Sequence, residues 1–242
     1  MQEKASAIVL HCLKYNDTSH IVNVYTEHAG RCSYIIKVSR ARKSGVRPSL
    51  FHPLALVELE VEGRNTAQLR RITEARPLYP LHSLPIDPYK SAIALFLGEF
   101  LHHALREEGA NHPLFAYLQH SIRWLDGCEG NEVANFHLVF LMRLLRFLGL
   151  YPNLDGYLAG DYFDLLNACF CHRIPPHGHY LHPEEAAIIP SLMRMNYYNM
   201  RLFPFNRQQR IRCLEVLNDF YRLHIPGFPP LRSLEVLQEL FN

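Results

Sequence analysis

Between residues 54 and 61 the sequence alternates. Leu54, Leu56, Glu58 and Glu60 fall on one face, and Ala55, Val57, Leu59 and Val61 on the other. Period-2 alternation marks a strand with one buried face. Four more β-type runs crowd the first 80 or so residues: 5–14, Ser19 to His28, Arg31 to Ser39, and Thr66 to Leu78. Turn signals separate them at Asn16-Asp17, Ala29-Gly30 and Glu62-Gly63-Arg64-Asn65. Five short strands with no helical pattern between most of them suggest a small closed barrel. The oligonucleotide/oligosaccharide-binding (OB) fold is a five-stranded barrel of this size.

Pro77, Pro80, Pro85 and Pro88 then mark a linker, and helical periodicity follows it. Asp87-Pro88 is a helix start, with an N-cap acceptor and proline at the first helical position. That helix is expected to run to about Glu108, with Ile93, Phe96, Leu97, Phe100, Leu101 and Leu105 on one face. Further helices fit Pro113 to Asp126, Glu132 to Leu148 (closed by Gly149), Pro183 to Asn199, Asn206 to His224 and Leu231 to Phe241. The expected fold class is α+β, with an OB barrel over 1–80 and an all-α helical domain over 81–242. An irregular Cys-, His- and Pro-rich insert occupies about 150–182.

Charge is segregated along the chain. Its 25 Lys+Arg against 23 Asp+Glu give only +2, which as a bulk figure argues against nucleic acid. Yet residues 28–57 hold no acid and six cations: Arg31, Lys37, Arg40, Arg42, Lys43 and Arg47. Residues 186–214 again hold no acid and five arginines: Arg194, Arg201, Arg207, Arg210 and Arg212. These segments carry +6 and +5, so the whole-chain +2 leaves −9 on the remainder. Clustered cations neutralise phosphates and release counterions, and arginine adds bidentate contacts. The first segment is thus a candidate DNA-binding surface. The second, with Arg201, Arg207, Arg210 and Arg212 as its candidates, suits either DNA or an acidic peptide. Tyr15, Tyr25, Tyr34 and Phe51 accompany the first run. They either stack on unpaired bases or fill the barrel core. Tyr15, beside the Asn16-Asp17 turn, is expected at the surface, and Tyr34 is a second candidate for DNA contact.

Signals of catalysis are weak. The chain lacks a G-x-x-x-x-G-K-[ST] phosphate loop, G-x-G-x-x-G, G-x-S-x-G and H-E-x-x-H, so no enzyme is expected. Glu99 and His102 match a di-iron E-x-x-H, but only once, and such sites need two copies. Cys169, Cys171, His172 and His177 are zinc candidates. Their C-x-C spacing and the missing second pair argue against a metal, so no cofactor is expected. The longest apolar stretch, Leu138 to Leu150, is broken by Arg143 and Arg146, so no membrane span or signal peptide is expected. Six scattered cysteines in a chain of 242 residues suit a reducing cytoplasm.

The order of certain residues resembles the bacterial RecO recombination mediator and DNA-repair family. Ala7-Ile8-Val9-Leu10, Tyr15, Asp17, Ile21-Val22, Thr26 and Gly30 look like its first two strands. Lys37 and Arg40 stand where the family has K-G-A-R, with Val38 in place of the glycine. Leu50-Phe51-His52-Pro53, Glu99, Leu114-Phe115, Phe147-Leu148-Gly149-Leu150-Tyr151-Pro152 and Arg232-Ser233 continue the likeness over nearly the whole chain. Many family members carry a four-cysteine zinc module after the L-G-x-x-P element. The C-x2-C pairs it needs are missing here. The resemblance implies an OB domain on a helical domain and binding of single- and double-stranded DNA. It also implies strand annealing and help in loading RecA onto strands coated by single-strand-binding protein. The partners implied are RecR and the C-terminal tail of single-strand-binding protein, and the location is the cytoplasm, at the nucleoid. Two rival readings stand beside it: an OB-fold protein-interaction adaptor without direct DNA binding, and a metalloenzyme built on Cys169, Cys171, His172 and 177–182.

Overall fold

The structure, a computed structural model, describes residues 2–37, 46–63 and 69–240. Five antiparallel strands open the chain: β1 (Gln2–Asn16), β2 (Ser19–Thr26), β3 (Gly30–Lys37), β4 (Leu56–Glu62) and β5 (Ile72–Pro77), in the order β3-β2-β1-β4-β5. The Ile35 N–H donates to the Arg70 carbonyl at 3.0 Å, and Ile35 forms a parallel bridge with Arg71. That contact brings the two outer strands together and returns the sheet on itself, in the OB manner expected from the sequence. Val57, Leu59 and Val61 of the alternating strand join Ala7, Val9, Val22, Val24 and Ile36 in the barrel core.

The run Ala7-Ile8-Val9-Leu10 does not alternate because β1 is buried on both faces. Ala7 and Val9 face the barrel core, and Ile8 and Leu10 on the opposite face are also buried. The first helix, α1 (Pro88–Ala104), packs against β1. At Gly98 a β-carbon would stand 2.9 Å from the Leu10 carbonyl oxygen. Asp87 caps α1 as expected, accepting the Tyr89 and Lys90 N–H groups. The helix ends at Ala104, short of the expected Glu108.

The proline-rich stretch after β5 is pinned in place. The buried Asp126, in α2 (His112–Gly127), accepts N–H groups from His82, Ser83 and Leu84 at 3.0, 2.8 and 2.7 Å. The buried Lys90 ammonium donates to Ser83 Oγ at 2.6 Å and to the Asp126 carbonyl at 2.9 Å. Of the described residues, one compact unit comprises those up to Gly127 with 231–240, and a second those of 128–230. Packing therefore divides the chain at Gly127, while the strand-to-helix change in the sequence falls near residue 80. The last helix, α7 (Arg232–Leu240), belongs to the first unit and packs on α1.

In the second unit, α3 (Phe136–Phe147) is buried through most of its circumference, and Gly149 follows it at φ +70°. The insert expected to be irregular contains a small antiparallel sheet: β6 (Tyr162–Asp164), β7 (Cys169–Cys171) and β8 (Tyr180–Leu181), in the order β7-β6-β8. Strands of two and three residues are too short to show alternation. The expected helix over Pro183 to Asn199 is broken into α4 (Pro183–Ala186) and α5 (Ile188–Arg194). Pro190 has no N–H to give the Ala186 carbonyl, so one continuous helix cannot form there. Beyond α5, the Asn196 side chain accepts the Tyr198 and Asn199 N–H groups, replacing helical bonds with a turn. The next helix, α6 (Arg207–His224), opens on a capping box between Asn206 and Gln209. Among the described residues, no helix is long and apolar enough to cross a membrane.

Candidate nucleic-acid interface

The register of β1, β2 and β3 aligns Asn16, Ser19 and Lys37 in one row at one end of the barrel. Tyr15 lies in the irregularity between Lys14 and Asn16 and is 62% exposed. Lys37 is exposed at the end of β3. The register thus puts an exposed aromatic residue and an exposed lysine at the same end of the sheet. Lys14 is spent on Asp17, its Nζ 2.7 Å from the carboxylate. Val46 is buried in the barrel core and the next residue, Arg47, is exposed ahead of a short 3-10 turn over Pro48–Leu50. Arg40, Arg42 and Lys43 lie outside the described residues.

Two candidates of the first segment are corrected by their surroundings. Tyr34 is only 4% exposed, a core residue that offers no face to a base, and burial pushes its phenol up. Its place in β3 puts it on the same face as Ile36, which points inward. Arg31 is engaged within its own unit. Its Nη1 donates to Asn23 Oδ1 at 3.1 Å and to the Cys32 carbonyl at 3.0 Å, and its Nη2 meets His102 Nδ1 at 2.9 Å. Burial lowers the Arg31 guanidinium from its ordinary value. Tyr25 is also buried, its hydroxyl donating to the Gly109 carbonyl at 2.9 Å.

Arg31 belongs to a cluster that sequence spacing does not reveal. His11 and His102 stand 5.1 Å apart by ring centres, and His102 and His103 4.9 Å. Burial, then the Arg31 charge, pushes His102 down to about 4, so it is neutral at physiological pH. Glu99, which the sequence pairs with His102 as E-x-x-H, turns elsewhere. Its Oε1 accepts the Arg232 N–H at 3.1 Å and its Oε2 the Ser233 N–H at 2.8 Å.

The second basic segment divides in two. Arg212 is held by Glu185 through Nε at 2.6 Å and by Glu215 through Nη1 at 3.2 Å. Arg210 donates Nη1 to the Phe205 carbonyl and is half-buried. Arg194 and Arg207 are exposed, and Arg201 is exposed while also engaged with the fold. Arg212 and Arg222 also border a groove of about 520 Å³ with Leu165, Leu181 and Phe228 on its apolar side and Asp219 among its polar groups.

The zinc candidates are engaged within the small sheet of the insert. Cys169 and Cys171 sit on β7, and burial raises both thiols from their ordinary value. The two histidines face carboxylates: His172 Nδ1 stands 2.5 Å from Asp161 Oδ1, and His177 Nε2 3.3 Å from Asp164 Oδ2. Among the described residues, no three His, Cys, Asp or Glu side chains form a metal-ligating group.

Residues 1–81 match the family model described as Recombination protein O N terminal, and residues 86–235 the one described as Recombination protein O C terminal. A Bacteroides fragilis protein named DNA repair protein RecO is 59% identical over 243 residues, covering all of both chains. Proteins of the same name from Phocaeicola vulgatus and Flavobacterium psychrophilum are 57% and 32% identical, again over the full length of both chains.

Proposed function

The chain belongs to the RecO family of DNA repair and recombination proteins, and from that premise we propose that it is a non-enzymatic, DNA-binding recombination mediator. On this reading it anneals complementary single strands and helps load RecA onto strands coated by single-strand-binding protein. It acts in the cytoplasm, at the nucleoid. The observation that carries the reading is the row at the barrel end. The exposed Lys37 and the open ring of Tyr15 stand at that end, and Lys37 leads into an acid-free segment that includes the exposed Arg47.

The physics of such a surface is capture rather than catalysis. Lys37, Arg40, Arg42, Lys43 and Arg47 replace counterions along a phosphate backbone, and Tyr15 offers a face to an unpaired base. Two strands held at reduced mutual repulsion then pair through their own bases. No zinc enters this mechanism. The partners it proposes are single- and double-stranded DNA, RecR and the acidic tail of single-strand-binding protein. The groove edged by Arg222 supports the last of these, because it offers apolar walls to an aromatic end group and a cation to an acid.

Annealing of complementary oligonucleotides by the full chain tests the reading. A rate that falls at least tenfold in the Lys37→Ala/Arg47→Ala/Tyr15→Ala variant supports it. An unchanged rate removes the barrel end from the mechanism.

A further inference from the structure

Tyr197 and Tyr198 are neighbours with opposite fates. The Tyr197 ring stacks on Phe136 at 5.2 Å and 14° and is buried. Tyr198 is 80% exposed. The turn that separates them is held from several sides. Asn196 Oδ1 accepts the N–H groups of Tyr198 and Asn199 at 2.9 and 3.0 Å. Asn199 Oδ1 accepts the Asn196 N–H at 2.7 Å, and its Nδ2 donates to the Arg194 carbonyl at 3.1 Å. Met200 is buried in a short 3-10 turn (Met200–Leu202), and the buried Asn135 donates Nδ2 to the Met200 and Phe203 carbonyls at 3.0 Å each. Leu202, two residues on, is 72% exposed.

The fold thus spends hydrogen bonds on a rigid support that holds an aromatic ring in water. On either side of that residue in the chain stand Arg194 and Arg207, both exposed, within a segment that holds no acid from 186 to 214. A protruding ring between spaced cations suits a ligand that brings its own flat faces and regularly spaced negative charge. An acidic peptide instead needs a recess for its apolar side chains. Tyr198 and Leu202 are exposed, while a recess of this unit lies at the Arg212–Arg222 groove.

We propose that the segment from Arg194 to Arg207 is a second single-strand-binding site, with Tyr198 stacking on a base and Arg194 and Arg207 on phosphates. It rests on the DNA-binding reading above and assigns a separate site to the second unit. A chain with one site in each unit holds two strands at once, which is what annealing requires. Stacking of this kind tolerates any base, because every base has a π-face.

The test uses the full chain, whose only tryptophan is Trp124. In a Trp124→Phe background, Tyr198→Trp places a fluorophore at the site. Oligo-dT is expected to quench it saturably, also when Lys37→Ala and Arg47→Ala are added. Arg194→Ala with Arg207→Ala should flatten the salt dependence of that quenching by about 1.4 log–log units, two contacts at about 0.7 each. In the unaltered chain, an oligonucleotide carrying 5-iodouracil should crosslink to Tyr198. Oligo-dT that binds, by anisotropy, without quenching or crosslinking overturns this site and leaves the barrel reading standing. Quenching by an acidic peptide but not by oligo-dT also overturns it, making the turn a protein-docking surface. Failure of the unaltered chain to bind oligo-dT at all overturns both readings.

Discussion

Replacing Glu99 by alanine should release α7 from the first unit. One carboxylate on α1 accepts the first N–H groups of α7 from Arg232 and Ser233 and also the Ser233 hydroxyl. These donors have no intrahelical partner, and a negative charge at a helix start is favourable. Burial raises the Glu99 carboxyl, but the bonds from Ser233 and Arg232 outweigh it and hold the group below its ordinary 4.5. A hydrogen bond to a charged group contributes roughly 1.5–3 kcal/mol. Glu99 is only half-buried, and its three bonds share one carboxylate, so screening and non-additivity reduce the sum to about 2–4 kcal/mol. For a chain of this size that is a melting shift of roughly 4–16 °C in the first unit. Glu99→Gln should cost nearly as much, because its amide turns a donor toward donors. Amide hydrogen exchange is the decisive assay. The α7 amides should lose protection while those of β1 and β4 keep theirs. The contribution is present above pH 4.5 and is lost as pH falls through the lowered folded value. Unchanged α7 protection in Glu99→Ala would refute the account of this clamp.

Other parts of the fold make equally definite predictions. Gly30→Ala should cost more than about 2 kcal/mol, because φ is +67° and the new carbon would lie 2.3 Å from the Gly109 backbone carbon. Gly149→Ala, at φ +70° with open space around it, should cost only about 1 kcal/mol, and equal urea midpoints for the two variants would contradict this. Asp126→Ala should free the 82–84 turn at a cost of about 3 kcal/mol, seen as new proteolytic cleavage near Leu81 in an otherwise folded chain. Acid should destabilise the chain before its carboxylates titrate. Burial, with Arg31, holds His102 down to about 4, and burial holds His137 down to about 3, against an ordinary 6.5. Unfolding lets both rings bind protons, so stability is full above pH 6.5 and falls as pH drops toward 4. His137 alone contributes about 2 kcal/mol of that loss at pH 5. Urea midpoints that stay level from pH 7.5 to pH 5 would refute it.

The barrel was legible in the sequence because its strands are long enough to alternate, and Val57, Leu59 and Val61 point inward as the pattern requires. The helix starts at Asp87-Pro88 and Asn206 were legible because capping chemistry is local. Composition could not separate an inward tyrosine from an outward one. Tyr34 and Tyr15 differ only by where the strand register puts them. Nor could it show that Arg31 would meet His102, 71 residues away, or that Glu99 would hold Ser233, 134 residues away. Such pairs exist only once α1 lies against β1 and α7. The same holds for the second basic segment. Its five arginines look alike in sequence, but Arg212 and Arg210 are committed to neighbours, and Tyr198 projects from a turn that a helical reading had hidden.

The salt dependence of single-stranded DNA affinity tests the central claim most directly. The slope of log affinity against log salt counts the phosphates neutralised, at about 0.7 per contact on single strands. Lys37→Ala/Arg40→Ala/Arg42→Ala should flatten that slope by about two units, whereas Arg31→Ala, whose guanidinium already has partners inside the fold, should leave it unchanged. A triple variant with the slope of the unaltered chain, or an Arg31 variant that flattens it, would contradict the account.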